Sequence, residues 1–424
     1  MNNEFGYLDL VPFKEINEEE QKLVIVNKKE DRLELKVKDI DKFSTFGFYN
    51  SEFGKLIETK IFYGINSTYH PLTLYRCSIN SSSFNAIPHS IISSQMYIVG
   101  NKALSPITHF TDKTKIKKIV YYNDNIKYIF PSASMTIKRK ENEMNIEAKK
   151  QKEKIISRTF YKDNKIIIKL INSYSHSGSI YNLNIKPAAY LEIAFQKSVD
   201  LDTILKISNR IDSVIHLFLL TSGRSKELTI YDTKKNSYEF HNIKNNDKEE
   251  KQPNFYLDKR ENNITNFDKL FNLFLNITNE NSNSFFPFLN FDRKVTSTEI
   301  QFLEYYRVLE YTDTEMRKKL NKGKNTNFLI GLLKKYPKIK DTYFGNQQNN
   351  IIEEEIRSLR NYYSHNGYYI EELPIPTFNP IRYKKIDIQW LYDVKNFIKA
   401  VAYLEVYSLA GINVDENYLI THLK

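Results

Sequence analysis

The feature that most constrains the fold is a change of hydrophobic periodicity across one polar stretch, residues 243–254 (IKNNDKEEKQPN). Before this stretch, apolar residues alternate in short segments separated by Asn, Ser and Gly. After it, apolar residues recur at helical spacing in long segments. Strands followed by helices are typical of an α+β chain, and the stretch between them has the composition of a linker. The sequence therefore predicts two domains, residues 1–255 and 256–424.

The N-terminal half is expected to be β-rich with one long helix. Residues 22–39 (KLVIVNKKEDRLELKVKD) predict two strands around a turn, and residues 155–171 predict a hairpin around Lys162-Asp163-Asn164. Residues 200–221 repeat apolar side chains at helical spacing, which predicts one helix that covers the sheet. Many short strands in succession favour a β-sandwich or a rolled sheet. Further strands are predicted at residues 60–63, 72–78, 91–99, 116–122, 127–129, 190–195, 227–231 and 237–241.

The C-terminal half is expected to be an all-α bundle. Its segments have apolar residues at helical spacing, and polar or Gly/Pro-containing stretches separate them. Helices are predicted at residues 264–277, 296–320, 328–336 and 386–410, with a further one that ends near His365.

The helix that ends near His365 carries the most distinctive stretch, residues 357–367 (RSLRNYYSHNG), and Gly367 is a candidate left-handed cap. Asn361 and His365 are four residues apart and share one helical face. Arg360 and His365 are five apart, which places them about 140° from each other around an ideal helix. These two side chains can meet at one phosphate only if the last turn unwinds or if a second subunit helps to close the site.

The segment Arg360–His365 (RNYYSH) resembles the Arg-x4-His motif of the HEPN superfamily, with a polar residue after the arginine. HEPN domains are small α-helical bundles, and many are metal-independent endoribonucleases that act as dimers. A β-rich half followed by a bundle introduced by YYRVLEY (Tyr305–Tyr311) is similar to the ApeA-type abortive-infection proteins. The resemblance implies an antiphage ribonuclease that cleaves RNA to a 2′,3′-cyclic phosphate and halts growth of the infected cell.

The resemblance also implies roles for individual residues. Metal-independent RNA cleavage needs a base for the 2′-hydroxyl, an acid for the leaving 5′-oxygen and positive charge at the phosphate. The guanidinium of arginine can donate hydrogen bonds to two phosphate oxygens at once, and histidine can serve as base or acid. The expected catalytic residues are Arg360, His365 and Asn361, and the expected RNA-binding residues are Ser364, Tyr363, Arg357, Lys334 and Lys335.

Structural alternatives accompany these roles. Arg360 and His365 would also complement the dipole at a helix end, and the tyrosines would also pack in a bundle. The bundle would then dimerise or bind RNA as a non-catalytic sensor or adaptor. Glu310 is expected to face the bundle and pair with an arginine there. His216 is expected to be a partly buried, hydrogen-bonded residue rather than a ligand.

The net charge of +11 and the pI near 9.1 favour an anionic partner. Nine Lys or Arg residues and no acid lie between Arg317 and Lys340, a run that would guide an RNA backbone or form a solvated face. An AT-rich genome would also produce an excess of Lys, Asn, Ile and Tyr, and so a positive net charge, without any selection for nucleic-acid binding. The partners expected are RNA, with tRNA as one candidate, a phage-derived trigger and a second copy of the chain bound through the bundle.

No metal, cofactor or membrane is expected. The eight histidines include no His-x3-His pair, and Cys77 is the only cysteine. The chain has neither a P-loop nor a dinucleotide-binding glycine signature. No apolar stretch reaches membrane-spanning length and the N-terminus does not resemble a signal peptide, so the expected location is cytoplasmic.

Overall fold

The structure is a computed structural model of the 424-residue chain. It describes residues 9–15, 22–28, 33–37, 60–65, 71–80, 91–94, 96–100, 110–111, 113–130, 135–140, 143–148, 153–179, 182–221, 223, 227–242, 253, 255, 257, 262–278, 280–291, 293, 297–319, 327–366, 371–375 and 382–423.

The chain divides into two compact units. The first consists of Met1–Ser208 with Gly223–Lys251, and the second of Asn209–Ser222 with Gln252–Lys424. The described strands of the first unit form antiparallel pairs, and the second unit is mainly helical. These observations confirm a mixed α and β fold with an antiparallel sheet.

The first unit is built on a sheet of 13 strands in which every pairing is antiparallel, in the order β11-β12-β13-β8-β14-β15-β7-β5-β4-β1-β2-β3-β6. A further pairing of β5 with β6 closes a ring of six strands at one end of this order. The strands are β1 (Asp9–Glu15), β2 (Lys22–Lys28), β3 (Leu33–Val37), β4 (Lys60–Ile65), β5 (Pro71–Asn80), β6 (Ile91–Ser94), β7 (Met96–Gly100), β8 (Ile116–Tyr122), β11 (Lys154–Tyr161), β12 (Asn164–Ser179), β13 (Asn182–Val199), β14 (Glu227–Asp232) and β15 (Ser237–Asn242), with β9 (Met135–Lys140) and β10 (Glu143–Ala148) as a separate hairpin.

The hairpin predicted around residues 162–164 is confirmed. Strand β11 ends at Tyr161, and the two loop residues Lys162 and Asp163 have φ of 46° and 60°. Two successive positive φ angles match the turn that fits the twist of a two-residue hairpin. Along β12, Ile166, Ile168 and Leu170 are buried while the two residues between them are partly exposed, as strand alternation requires.

The predicted strand at residues 127–129 is wrong, because Ile126–Ile129 forms the short helix α1. The side chain of Asn123 accepts a hydrogen bond from the backbone N–H of Asn125 at 2.9 Å, which turns the chain into the helix. Ile126 and Ile129 are three residues apart and both buried. Helical spacing places them on one face, so burial of both selects the helix.

The second unit contains the long helices, and the helices predicted for it are found within a few residues at each end. The expectation that this half is all-α is wrong, because Glu372–Ile375 and Arg382–Lys385 pair as an antiparallel hairpin. Helix α2 (Leu201–Leu219) is divided between the units: Asn209–Ser222 belong to the second one, so α2 is not only the sheet-covering helix that was predicted. The other elements are α3 (Asn263–Leu275), α4 (Phe286–Leu289), α5 (Thr298–Lys319), α6 (Phe328–Lys335), α7 (Pro337–Phe344), α8 (Asn349–Asn366), a hairpin of β16 (Glu372–Ile375) and β17 (Arg382–Lys385), α9 (Ile388–Leu409) and α10 (Glu416–Leu423).

Helix α9 lies at the centre of the second unit. It begins at the cap Asp387, whose carboxylate accepts from the backbone N–H of Trp390 at 2.6 Å. From Val394 onward almost every side chain is buried, because α9 packs against α5, α7 and α10. Helix α7 was not predicted. It begins at Pro337, shortly after α6 ends at Lys335, because proline cannot continue the helix before it but is tolerated in the first turn of a new helix.

We predict that Tyr407→Phe destabilises the second unit by about 1 kcal/mol, because it leaves a buried carbonyl without its donor. The buried Tyr407 hydroxyl donates to the carbonyl of Leu217 at 2.6 Å, in the last turn of α2, where helix carbonyls have no partner in their own helix. Urea denaturation measures the loss. Tyr383→Phe, at a tyrosine that is 61% exposed, is the matched control, and equal midpoints for the two variants would contradict the prediction.

Candidate active site

The Arg-x4-His stretch lies at the C-terminal end of α8, as predicted, and the helix continues to Asn366. The inner face of α8 is apolar, with Ile352, Ile356 and Leu359 fully buried at helical spacing. Asn361 and His365 lie on the opposite, exposed side, whereas Arg360 lies at the edge of the apolar face, four residues after Ile356. Burial of the apolar face therefore fixes which way the arginine and the histidine point.

Arg360 is held in place by three contacts. Its guanidinium Nη2 lies 2.9 Å from Glu310 Oε1 on α5, and its Cζ lies 5.9 Å from the centre of the Tyr306 ring. Its Nη1 donates to Asn361 Oδ1 at 3.2 Å. The expected pairing of Glu310 with an arginine is thus confirmed. The Arg360 side chain remains 33% exposed, so the guanidinium is positioned without being enclosed.

Tyr306 is a site residue that the sequence did not single out. It lies four residues before Glu310 on α5 and is buried to 4% exposure beside Phe302 and Phe328. Burial raises the pKa of its phenol, the nearby Glu310 carboxylate raises it further and Arg360 opposes them. The ring therefore stays neutral under Arg360. The signal in the sequence was the four-residue spacing of Tyr306 and Glu310, which places both on one face.

Arg357 makes an ion pair one turn before the motif. Its Nε lies 3.4 Å from Glu353 Oε1, and the Glu353 side chain is 6% exposed. Burial raises the pKa of Glu353, Arg357 lowers it and Glu354 raises it. A buried carboxylate needs a compensating cation, so Arg357 has a structural role in addition to its predicted contact with RNA.

His365 and Ser364 are exposed, and neither side chain has a hydrogen-bond partner within the residues that the structure describes. Because α8 stays helical through both positions, His365 and Arg360 remain about 140° apart around its axis. The last turn of α8 is therefore not unwound in this structure, and Arg360 and His365 of one chain do not point toward a common phosphate position. The Asn361 side chain accepts a hydrogen bond from Arg360, so it positions the guanidinium rather than the imidazole of His365.

Two of the predicted RNA-binding residues have other contacts. Tyr363 is 5% exposed and packs edge-on against Phe302, with ring centres 6.3 Å apart. Its predicted role in RNA binding is corrected to core packing, because a buried ring cannot stack on a base. Lys335 Nζ lies 2.6 Å from Glu405 Oε1, whereas Lys334 is exposed and has no partner among the described residues.

The basic run between Arg317 and Lys340 is partly neutralised by acids outside it. Arg317 pairs with Asp313 at 2.7 Å, and Lys318 pairs with Glu315 at 2.7 Å. Residues 320–326 of the run lie outside the described residues. The described part of the run therefore carries less free positive charge than its composition indicates.

His216, which was expected to be partly buried and hydrogen-bonded, is 8% exposed and has a partner on each ring nitrogen. Nε2 lies 2.8 Å from the Tyr403 hydroxyl and Nδ1 lies 2.5 Å from the Thr221 carbonyl. Its ring also stacks on Phe291 at 4.4 Å. This prediction is confirmed.

Comparison with known proteins gives no relative: no family model matches the chain, and neither does any curated protein or solved structure. Among the described residues, there is no group of at least three His, Cys, Asp or Glu side chains that could hold a metal ion. None of the helices that the structure describes is both long and apolar enough to cross a membrane.

We predict that Tyr363→Leu lowers the free energy of unfolding by about 2 kcal/mol, because it replaces a buried ring with a smaller side chain. RNA affinity of the folded variant should stay within about twofold of the original, since Leu and the buried Tyr both leave the surface unchanged. Urea denaturation and filter binding measure the two quantities. A large loss of RNA affinity in folded Tyr363→Leu would contradict the assignment of this ring to the core.

Proposed function

We propose that this protein is a metal-independent endoribonuclease of the HEPN type that acts in antiphage abortive infection. The observation that carries the proposal is the positioned guanidinium of Arg360, which Glu310 and Tyr306 hold at the surface one turn from an exposed histidine, His365. An ion pair with a partly exposed carboxylate is weak, so a phosphate can compete for Arg360. The exposed imidazole of His365 is available for proton transfer.

The reaction that these groups support is transesterification. The 2′-oxygen of a ribose loses its proton to a base and attacks the adjacent phosphorus, and the bond from phosphorus to the 5′-oxygen breaks as an acid protonates that oxygen. The products are a 2′,3′-cyclic phosphate and a free 5′-hydroxyl. His365 acts as base or acid, and Arg360 stabilises the negative charge that develops on the phosphoryl oxygens.

A homodimer solves the geometric problem of the single helix. Two α8 ends that face one cleft would place Arg360 and His365 of both copies around the same phosphate, with one histidine as base and the other as acid. Like charges in such a cleft repel one another unless an anion lies between them. The RNA phosphate is that anion, so binding of RNA should strengthen the dimer by linkage.

The β-rich first unit is the part that we assign to control. In this proposal it senses a phage-derived component and adjusts the cleft, so that RNA, with tRNA as a candidate substrate, is cleaved in infected cells. Growth of the infected cell then stops. The resemblance of the motif and of the two-part plan to ApeA-type proteins supports this role.

We predict that purified protein cleaves RNA in excess EDTA and that His365→Ala and Arg360→Ala each reduce kcat/KM by about a hundredfold or more. Glu310→Gln removes the charge that positions Arg360 and should reduce kcat by a smaller factor. The assay follows cleavage of a labelled RNA and tests the products for a 2′,3′-cyclic phosphate. Arg307→Ala, which removes an exposed arginine of α5, is the matched control and should retain full activity.

Loss of cleavage in EDTA, or equal cleavage by His365→Ala, would overturn the nuclease proposal. Growth of cells that express the protein separates the nuclease from a non-catalytic adaptor. A nuclease should slow growth when triggered by phage only while Arg360 and His365 are intact. An adaptor should leave growth unchanged whether or not these residues are present.

We predict that mixing Arg360→Ala and His365→Ala subunits restores part of the activity that each variant lacks. In the mixed dimer, one subunit retains the histidine and the other the arginine. The shared cleft then keeps one group of each kind but lacks the second histidine, so the recovery should be partial. Activity of the mixture is compared with that of each variant at the same total concentration. Full cleavage by a protein that sediments as a monomer at micromolar concentration would rule out the shared cleft.

A further inference from the structure

A second candidate site shares no residue with the one around Arg360. It lies where α7, α9 and α10 meet. These helices surround a cavity of about 560 Å³. None of the residues that line it belongs to the motif of α8 or to its contacts. The volume is in the range of small-molecule sites in proteins.

The cavity is lined by two lysines from the same face of α9, Lys395 and Lys399. Lys395 is only 8% exposed, and its ammonium lies 5.0 Å from the centre of the Tyr392 ring. Lys399 Nζ donates to the carbonyl of Leu423 at 3.2 Å. In the part of the chain that the structure describes, neither lysine is paired with a carboxylate.

One acid lines the cavity beside this pair, and it forms no ion pair with either lysine. Asp393 also lines the cavity, but its carboxylate accepts a hydrogen bond from Gln389 Nε2 at 3.0 Å. Burial lowers the pKa of Lys395. Burial, together with the neighbouring Lys395, lowers the pKa of Lys399 to about 8. Two lysines that lie together at a cost to their charged forms, and that form no ion pair within the described residues, are typical of a site that receives an anion.

We propose that this cavity binds a phosphorylated small molecule of nucleotide size, with its phosphates between Lys395 and Lys399. Lysine is a common phosphate ligand because its ammonium acts as a point charge with three donors. The ring of Tyr392 is 45% exposed, and it provides a surface on which a base can stack. The proposal is independent of the nuclease, since it concerns different residues and is tested by binding.

The charges around Lys399 give the site a defined pH dependence. Asp393 and Lys395 face it from α9, as does Tyr392, and Tyr343 faces it from α7. Leu423 of α10 contributes its backbone carbonyl. Lys399 carries its proton below about pH 8 and loses it as the pH rises through that value. A bound phosphate favours the ammonium form, so binding at pH 8 should take up protons and affinity should fall at higher pH.

The experiment is isothermal titration calorimetry of the full chain with ATP at pH 7, and with pyrophosphate and adenosine for comparison. We expect saturable ATP binding, weaker binding of pyrophosphate and none of adenosine. Lys399→Met and Lys395→Met should each weaken ATP binding by about tenfold or more, since each removes a charged donor to phosphate. Lys385→Met, at an exposed lysine of β17, should bind ATP like the original protein.

Titration at pH 8 in two buffers of different ionisation enthalpy should show proton uptake that is absent in Lys399→Met. Thermal unfolding verifies that the variants are folded, and removal of a buried lysine charge should not lower their stability. Absence of saturable ATP binding, or unchanged binding by folded Lys399→Met, would overturn the proposal. So would equal binding of pyrophosphate and ATP, or tighter binding of a single-stranded oligoribonucleotide that also depends on Lys399, which would assign the cavity to RNA.

Discussion

The structure of the second unit depends on the burial of α9 along most of its length. A helix buried on all sides must find partners for each of its polar side chains, because an unpaired buried polar group is costly. Glu405 is 5% exposed and accepts from the Tyr336 hydroxyl at 2.5 Å and from Lys335. Tyr403 and Tyr407 contact the second half of α2 in the same way. These bonds join segments that are far apart in sequence.

At both of the places proposed as binding sites, cationic side chains have incomplete partners. At the end of α8, Arg360 has a partly exposed partner in Glu310 and His365 has none in the described chain. In the cavity beside α9, neither Lys395 nor Lys399 forms an ion pair with a carboxylate of the described residues. Elsewhere in the unit the buried acid Glu405 is paired. Since both places concentrate cationic side chains, both favour anionic ligands.

Sequence reasoning found the candidate site more completely than its surroundings. The spacing within α8 placed Arg360 and His365 on different faces, and the structure keeps them there. The pairing of Glu310 was also expected, because a charged residue on an inward-facing position needs a counter-charge. Tyr363 was misassigned, since a helical pattern shows which residues share a face but not how deeply a neighbouring helix covers it. Tyr306 was missed for the same reason.

The sequence by itself determined many of the local elements: the long helices of the second half, the hairpin at Lys162 and Asp163, and the motif at a helix end. Each follows from hydrogen bonds and side-chain spacing within a few residues. Tertiary structure alone decided the strand order, the ring closed by β5 and β6, the division of α2 between the units and the lysine cavity. These depend on contacts between distant residues, and one sequence pattern is compatible with many such pairings. Even the helix at Ile126–Ile129 required the burial of both isoleucines to be selected.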